Sequence, residues 1–358
     1  MLGNSERFLM QPVTLPNPHL VRVLLAMVVA ACLLPATAAA EKILRYSDHE
    51  PMGGMRTKFI KDVFFAAIER ESKGRLKVDD QWDSKLSTGY DALRVVGDGK
   101  VADMATVVPE YMAKDLPLHQ IFKSFPVGPT GQKQVAFFRR AYADIPQFPA
   151  ELEKNNAVPL LLATGYPVAF FSTKPLKTLN DLEGNKWRSA SFWHFDFLRN
   201  AGAVPVTMPW GEGVFKALQD RTLDGLMVNV DSGYMLNVHE TAREVLTSKD
   251  LWLGHLYIVA MNRTTWKGMA PEDREAIQRA AEFSYQTLGR VMDSSYVAML
   301  EDLKKAGATV RLLDRTELDT WNRTTRYQQI QAKWSTEQGK DAEPVMEKVR
   351  KLLNEAMP

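Results

Sequence analysis

Three side chains from one stretch of the sequence could together hold a small organic anion. Arg188 ends the strand-like run 184–188, and Asn229 ends a second such run, 224–229. Trp210 lies between the two runs, directly ahead of a segment with helical character. A guanidinium can grip a carboxylate with two parallel hydrogen bonds, and a ring and an amide can complete a pocket wall. None of these groups would obviously react with the anion, so the set indicates binding rather than catalysis.

Each of these residues also has a structural interpretation. Alternation along a strand places Arg188 on one face and Trp187 on the other, where we expect Trp187 to join the core. Arg188 stands at the carboxyl end of its strand, where open α/β sheets bind ligands, but an exposed ion pair is the alternative. Trp210 could pack in a core or at a domain edge, and Asn229 could cap a helix or form a turn.

The sequence contains no complete motif of a common catalytic site. His239 is followed by a glutamate as in a zinc-protease helix, but Arg243 occupies the position of the second histidine. The run 97–100 resembles a phosphate loop only weakly, since Arg94 stands where the first glycine must be. No Gly-x-Ser-x-Gly turn is present. We therefore expect no enzyme, no cofactor and no bound metal.

The composition is that of an ordinary globular protein long enough for two domains. The chain has 358 residues, of which 45% are hydrophobic and 25% are charged. The net charge is +2, and no basic run is interleaved with aromatics, so we expect no nucleic-acid partner.

The N-terminus is typical of an export signal. Residues 20–40 are nearly all apolar, end in Ala38-x-Ala40, and are followed by the polar Glu41. This pattern predicts a signal peptide over 1–40, cleavage near Ala40/Glu41, a periplasmic protein and no stable membrane insertion of the mature chain. A membrane anchor and lipid attachment at Cys32, the only cysteine, are the alternatives. After cleavage the chain would hold no cysteine and no disulfide.

The elements that must position these residues alternate between strand and helix, which predicts an α/β fold with mostly parallel sheets. The predicted strands lie at 43–47, from 76, and at 102–108, 158–163, 168–172, 186–189, 204–207 and 225–228. The run 165–167 is the best crossing point between two α/β units. A stripe of helical periodicity over 271–306 predicts one helix roughly 50 Å long, enough to touch both units.

Three motifs carry a resemblance to a known family. They are Asp-Leu-Glu-Gly-x-Lys-x-Arg at 181–188, Pro-x-x-Glu-x-x-x-Ala-Leu-Gln at 209–219, and Asp224-Gly225 leading to Asn229. Val-Pro-x-Tyr-Met at 108–112 is a weaker match. With these motifs the mature chain resembles the extracytoplasmic solute-binding proteins of tripartite ATP-independent periplasmic (TRAP) transporters, the DctP-like dicarboxylate-binding-protein family.

The resemblance implies a periplasmic-binding-protein-like fold. Two α/β domains would flank a central cleft and be joined by crossing strands and a long helix spanning both. Domain I would comprise 41–165 plus about 254–292. Domain II would comprise 166–253 plus about 293–350.

The resemblance also implies roles for particular residues. Arg188 would pair with the solute carboxylate, Asn229 would help to hold it, and Trp210 would lie against the ligand. The strand end at 225–229 is one residue longer than the family pattern. Further candidate ligand-binding residues, from closing loops, the crossing point and an aromatic-rich segment, are His49, Trp82, Thr106, Tyr166, Phe192 and Trp193.

These aromatic side chains suggest an apolar or aromatic monocarboxylate, with core packing as the alternative. Sialic-acid-binding relatives carry a second arginine where residues 166–170 hold no positive charge, which argues against sialic acid and a second carboxylate. The implied partners are a small organic acid and the small and large membrane subunits of a TRAP permease. A binding protein for a sensor kinase or an ATP-driven importer, or a periplasmic enzyme acting on the anion, are the alternatives.

Overall fold

Two β-sheets organise the described residues of the computed structural model, which are 41–208, 210–252 and 254–357. The first sheet has five strands in the order β2-β1-β3-β10-β4: β1 Lys42–Ser47, β2 Leu76–Gln81, β3 Met104–Val107, β4 Ala157–Thr164 and β10 Leu256–Asn262. The second has six in the order β11-β9-β5-β8-β6-β7: β5 Val168–Ser172, β6 Lys186–Ser189, β7 Val204–Thr207, β8 Gly225–Asn229, β9 Glu244–Thr247 and β11 Thr309–Leu312. The predicted signal peptide, its cleavage site and Cys32 lie outside the described residues.

Helices surround the two sheets. The α-helices are Met55–Phe59, Ala66–Glu71, Ala92–Asp98, Gly131–Asp144, Gln147–Lys154, Phe192–Asn200, Glu212–Gln219, Val230–Met235, Arg263–Lys267, Pro271–Lys305, Arg315–Thr324, Tyr327–Gln338 and Ala342–Ala356. A π-helical stretch, Ile60–Phe65, joins the first two into one continuous segment. Short 3₁₀ turns are Pro109–Met112, Leu118–Ser124, Leu179–Leu182 and Val238–Glu240.

Both sheets are mixed, which differs from the mostly parallel sheets expected from the alternation of elements. β10 lies between β3 and β4 and runs antiparallel to both. β5 likewise runs antiparallel to its neighbours β8 and β9. The chain enters β5 and β10 by crossing from the other sheet rather than by a strand–helix–strand unit, so the rule that makes such units parallel does not apply to them.

The long helix Pro271–Lys305 makes hydrogen bonds to both sheets. The hydroxyl of Tyr285 accepts a bond from the backbone N–H of Leu162 on β4, at 2.8 Å. The hydroxyl of Tyr296 lies 3.3 Å from that of Thr247 on β9. The helix therefore spans the two sheets, as its length predicted.

The strands divide between the sheets close to the predicted crossing point at 165–167. The last helix, Ala342–Ala356, packs against Gly131–Asp144, and Arg140 pairs with Glu355 at 2.7 Å. The division of the chain into two domains at the bounds given above stays a prediction.

Candidate ligand-binding site

A pocket of about 430 Å³ lies where the carboxyl ends of parallel strands from both sheets meet the start of β10. Backbone geometry favours this edge, since strand ends there present loops and helix starts to the same space. Its walls are Glu50, Glu110, Tyr111, Arg188, Ser189, Ala190, Ser191, His194, Trp210, Met227, Val228, Asn229, Ser232, His255 and Tyr257.

Arg188 is the buried cation of this pocket, with 3% of its surface exposed. β6 pairs with β7 so that Arg188 lies opposite Val206, two residues before Met208. The Nε and Nη2 atoms of Arg188 donate to the carbonyl oxygen of Met208 at 3.0 and 2.9 Å. Its guanidinium carbon lies 5.2 Å from the ring centre of Trp210. The backbone and the ring thus hold the guanidinium in one orientation.

No carboxylate of the described residues neutralises this guanidinium. Among residues 41–208, 210–252 and 254–357, no Asp or Glu oxygen lies within 4.0 Å of its nitrogens. Burial lowers the pKa of Arg188, and the nearby Tyr111 and Glu110 only partly oppose this effect. A buried charge without a partner is costly, so the site favours an incoming anion.

Asn229 ends β8 and is buried with 2% of its surface exposed. Its side-chain amide donates a hydrogen bond to the carboxylate of Asp231. Burial raises the pKa of Asp231 to about 7, and the negative charge of Glu50 adds to the shift. Asn229 is the N-cap residue of the helix Val230–Met235, but its side chain makes no capping hydrogen bond there.

Two acidic side chains, from the segments that follow β1 and β3, line the pocket, and each is paired with a buried cation. Glu110 accepts from Lys123 and from Nε2 of His255, the latter at 3.1 Å. Burial opposes the ionisation of Glu110, but the charge of Lys123 and the hydrogen bond from His255 hold its pKa well below the usual range. Glu50 accepts from Arg56 at 2.8 Å, and the Arg56 guanidinium lies 4.4 Å from the ring centre of Tyr257.

The family model for bacterial extracellular solute-binding proteins, family 7, matches residues 49–334. The chain belongs to this family. The resemblance drawn from the sequence motifs is thereby confirmed, and the family places the protein outside the cytoplasm.

Several known proteins are similar to this chain in sequence or in fold. The ectoine-binding periplasmic protein TeaA of Halomonas elongata is 22% identical over 324 residues, 88% of this chain and 91% of TeaA. A TRAP solute-binding protein from Rhodoferax ferrireducens T118, in complex with copurified benzoate, superposes with a TM-score of 0.76 at 22% identity, covering 88% of this chain and 98% of that one.

A third relative comes from an unidentified microbe of a marine metagenome. It is a TRAP solute-binding protein specific for aromatic acid ligands, in complex with 3-hydroxybenzoate. The TM-score is 0.77 at 20% identity, covering 89% of this chain and all (100%) of that one. The predicted periplasmic-binding-protein-like fold is confirmed by these similarities.

The pocket of this protein is lined by Arg188, Asn229 and Trp210, the three candidate residues that the sequence placed together. Trp187 lies in the core, as strand alternation predicted, with its ring centre 5.8 Å from that of Phe170. The polar side chains at the ends of β6 and β8 therefore meet in one space.

The aromatic residues Phe192 and Trp193 do not line this pocket. Trp193 is fully buried, with its ring centre 5.3 Å from that of Trp334. Phe192 is 39% exposed beside it. Their roles in ligand binding stay predictions, as does that of Tyr166, which lines a separate cavity of about 210 Å³ with Met292 and Tyr296.

Three further predicted residues are not among the residues that line the pocket. The hydroxyl of Thr106 is 2.7 Å from that of Tyr46, and the ring centre of Trp82 is 5.2 Å from that of Tyr46. His49 contacts a lining residue, since its ring centre is 5.9 Å from that of Tyr111. Their roles as ligand-binding residues also stay predictions.

The candidate binding residues drawn from the sequence did not include six residues that also line the pocket: Glu50, Glu110, Tyr111, His194, His255 and Tyr257. One signal was present, because Tyr111 belongs to the weak family match at 108–112. The start of β10 carries His255 and Tyr257 to β3, and only strand pairing reveals that proximity.

Neither a metal cluster nor a membrane span is found in the described ranges. No group of His, Cys, Asp and Glu there could hold a metal ion. None of the helices described is long and apolar enough to cross a membrane.

Proposed function

We propose that this family 7 protein captures a small organic carboxylate in the Arg188 pocket and delivers it to a TRAP permease with small and large membrane subunits. The observation that carries the proposal is the buried guanidinium of Arg188, which has no protein carboxylate beside it in the described part of the chain. A solute carboxylate supplies the missing negative charge. It also accepts hydrogen bonds from the N–H groups of Arg188 that do not bond to Met208.

Water exclusion makes this interaction strong. Arg188 is 3% exposed, and the low dielectric around a buried group strengthens the attraction between opposite charges. Trp210 stacks on the guanidinium and shields it from solvent. Loops around His49 and Thr106 close over the solute from the first sheet in this proposal, and Asn229 presents a second polar group.

The charges around the pocket favour one carboxylate per solute. Glu50 and Glu110 would repel a second carboxylate, and the cations Arg56 and Lys123 already face these acids. The walls also contain Trp210, Tyr111 and Tyr257, which suit an aromatic or apolar body. Relatives that hold benzoate and 3-hydroxybenzoate support an aromatic monocarboxylate.

A thermal-shift screen of the mature protein tests this proposal. The set contains aromatic, aliphatic, keto and hydroxy monocarboxylates, each with its primary amide as an uncharged control. Stabilisation grows with ligand concentration over the dissociation constant, so an acid should raise the melting temperature and its amide should not. Equal increases in melting temperature with acids and with their amides would show that the protein does not recognise the carboxylate. Recovery of the bound acid unchanged after incubation is expected of a binding protein, whereas a converted product would indicate an enzyme.

The place of action is also part of the proposal. The export signal is cleaved at Ala40/Glu41, and the mature protein works in the periplasm. N-terminal sequencing of the secreted protein checks this point, and a mature chain that begins elsewhere would correct it.

A further inference from the structure

Two histidines of the pocket each carry a ring nitrogen that lacks a hydrogen-bond partner. These atoms are Nε2 of His194 and Nδ1 of His255, and no described residue bonds to either. His194 is 1% exposed and His255 is 7% exposed, and both line the same pocket as Arg188. Buried polar atoms are nearly always paired, so two orphan nitrogens in one pocket require an explanation.

The hydrogen bond to Glu110 sets the tautomer of His255. Burial lowers the pKa of His255, so its ring is neutral at pH 7. Glu110 is ionised, so its carboxylate can only accept hydrogen bonds. The Nε2 atom of His255, 3.1 Å away, therefore carries the ring proton and donates a hydrogen bond to Glu110. The Nδ1 atom of His255 therefore has a free lone pair and can only accept a hydrogen bond.

His194 complements this acceptor. Burial lowers the pKa of His194 to about 3, and the charge of Lys123 adds to the shift, so this ring is also neutral. Its Nδ1 atom lies 3.0 Å from the hydroxyl oxygen of Ser189. When the hydroxyl of Ser189 donates to Nδ1, the Nε2 atom of His194 carries the proton and acts as a donor.

We propose that His255 and His194 recognise a second, uncharged polar group of the solute, a hydroxyl or a ring N–H, in addition to the carboxylate on Arg188. The solute group donates to Nδ1 of His255, and a hydroxyl also accepts from Nε2 of His194. The inference rests on the proposed function, since it assigns a second group to the same solute. It narrows the solutes to hydroxy or N–H monocarboxylates.

The two histidines act on specificity in this proposal. A site built to bond a polar group rejects an analogue that lacks it, because the protein atoms are then left unpaired. A wholly apolar monocarboxylate leaves both nitrogens without partners. A dicarboxylate brings a second negative charge to Nδ1 of His255, which has no proton to donate, and close to Glu110.

Calorimetry with paired acids tests this assignment. The probes are benzoate against 2-, 3- and 4-hydroxybenzoate, and cyclopentanecarboxylate against pyroglutamate. In the wild-type protein the best hydroxyl or N–H member should bind at least about tenfold tighter than its apolar partner. Wild-type protein that prefers the apolar member of both pairs would overturn the proposal.

Two substitutions remove the orphan nitrogens and keep a polar group for Glu110 and for Ser189. Gln in His255→Gln places an amide N–H near the position of Nε2 and keeps a donor for Glu110, but has no equivalent of Nδ1. Asn in His194→Asn keeps a polar group beside Ser189 and has no equivalent of Nε2. The preference should fall to about threefold or less in the double variant, chiefly through weaker binding of the polar acid. His239→Asn is the control, because His239 is absent from the pocket lining.

The outcomes separate this inference from the proposed function. Arg188→Lys should weaken both members of each pair, whereas the histidine variants should weaken the polar member and reduce the preference for it. Equal weakening of both members by the histidine variants would assign the histidines a structural role and overturn the inference alone. If no acid of the set binds the wild-type protein, the carboxylate site fails and the inference fails with it.

Discussion

The guanidinium carbon of Arg188 lies 5.2 Å from the ring centre of Trp210, while two of its nitrogens donate to the carbonyl of Met208. The same short segment after β7 therefore supplies both the carbonyl that orients the guanidinium and the ring that covers it. Holding the arginine in this way reduces the ordering cost when an anion arrives.

Arg188→Lys should weaken carboxylate binding by about 100-fold. The ammonium is a point charge on a flexible stem and cannot reproduce a planar fork bound to Met208 and the solute at once. Isothermal titration calorimetry with the tightest acid from the thermal-shift screen measures the change. Arg199→Lys is the matched control, since Arg199 is exposed and paired with Asp196. Affinity within threefold of wild type in Arg188→Lys would argue against the carboxylate role.

Trp210→Ala should weaken binding by about tenfold, while Trp210→Phe should retain most of the affinity. A cation on an aromatic face contributes on the order of 0.5–2 kcal/mol, and phenylalanine keeps a face of the same kind. Dissociation constants for the two variants distinguish stacking from simple space filling. Trp210→Leu serves as the comparison, because leucine fills space without a π-face. Equal affinities of the Trp210→Leu and Trp210→Phe variants would contradict the stacking role.

Asp231→Asn should flatten the dependence of stability on pH in the ligand-free protein. Burial raises the pKa of Asp231 from 3.8 to about 7, so the folded state binds more protons than the unfolded state between these values. The stability contributed by this carboxyl is complete below about pH 4 and is lost as the pH rises to about 7. Melting temperatures at a series of pH values measure the slope. A slope unchanged in the variant would show that Asp231 titrates normally.

Gly225→Ala should destabilise the fold by roughly 1–3 kcal/mol. A Cβ atom at Gly225 would lie 2.5 Å from the ring of Trp187 and 2.6 Å from the carbonyl oxygen of Phe171, both of which are fixed in the core. Urea unfolding of the two proteins measures the difference.

Gly213→Ala is the matched control for that experiment. Gly213 lies in the helix Glu212–Gln219, and nothing stands within 4 Å of its added Cβ. This change should be neutral or stabilising by up to about 1 kcal/mol. Equal effects of the two substitutions would show that the glycine of the Asp224-Gly225 motif has no packing role.

Local patterns predicted the elements around Arg188 closely. The strands expected at 186–189, 204–207 and 168–172 are β6, β7 and β5, and the helix expected at 271–306 is Pro271–Lys305. These segments have strong alternation or helical periodicity and clear Gly or Pro boundaries, which are properties of neighbouring residues. The strands β9, β10 and β11 were not predicted.

The helix after β6 shows where local reasoning ends. Phe192, Trp193 and His194 are consecutive, and the sequence drew attention to the two aromatics. The helix turns about 100° per residue, so a shift of one position in its start exchanges the residue that faces the pocket. In the structure Trp193 packs on Trp334, and His194 lines the pocket.

The family and the α/β architecture could be predicted from the amino-acid sequence, because motifs and periodicity are encoded by residues close together in the chain. The tertiary structure alone decided what surrounds that arginine. His255 and Glu110 are 145 positions apart and meet because β10 pairs with β3, a contact that depends on packing across the whole chain. The unpaired ring nitrogens, and the second solute group they indicate, follow from that long-range pairing.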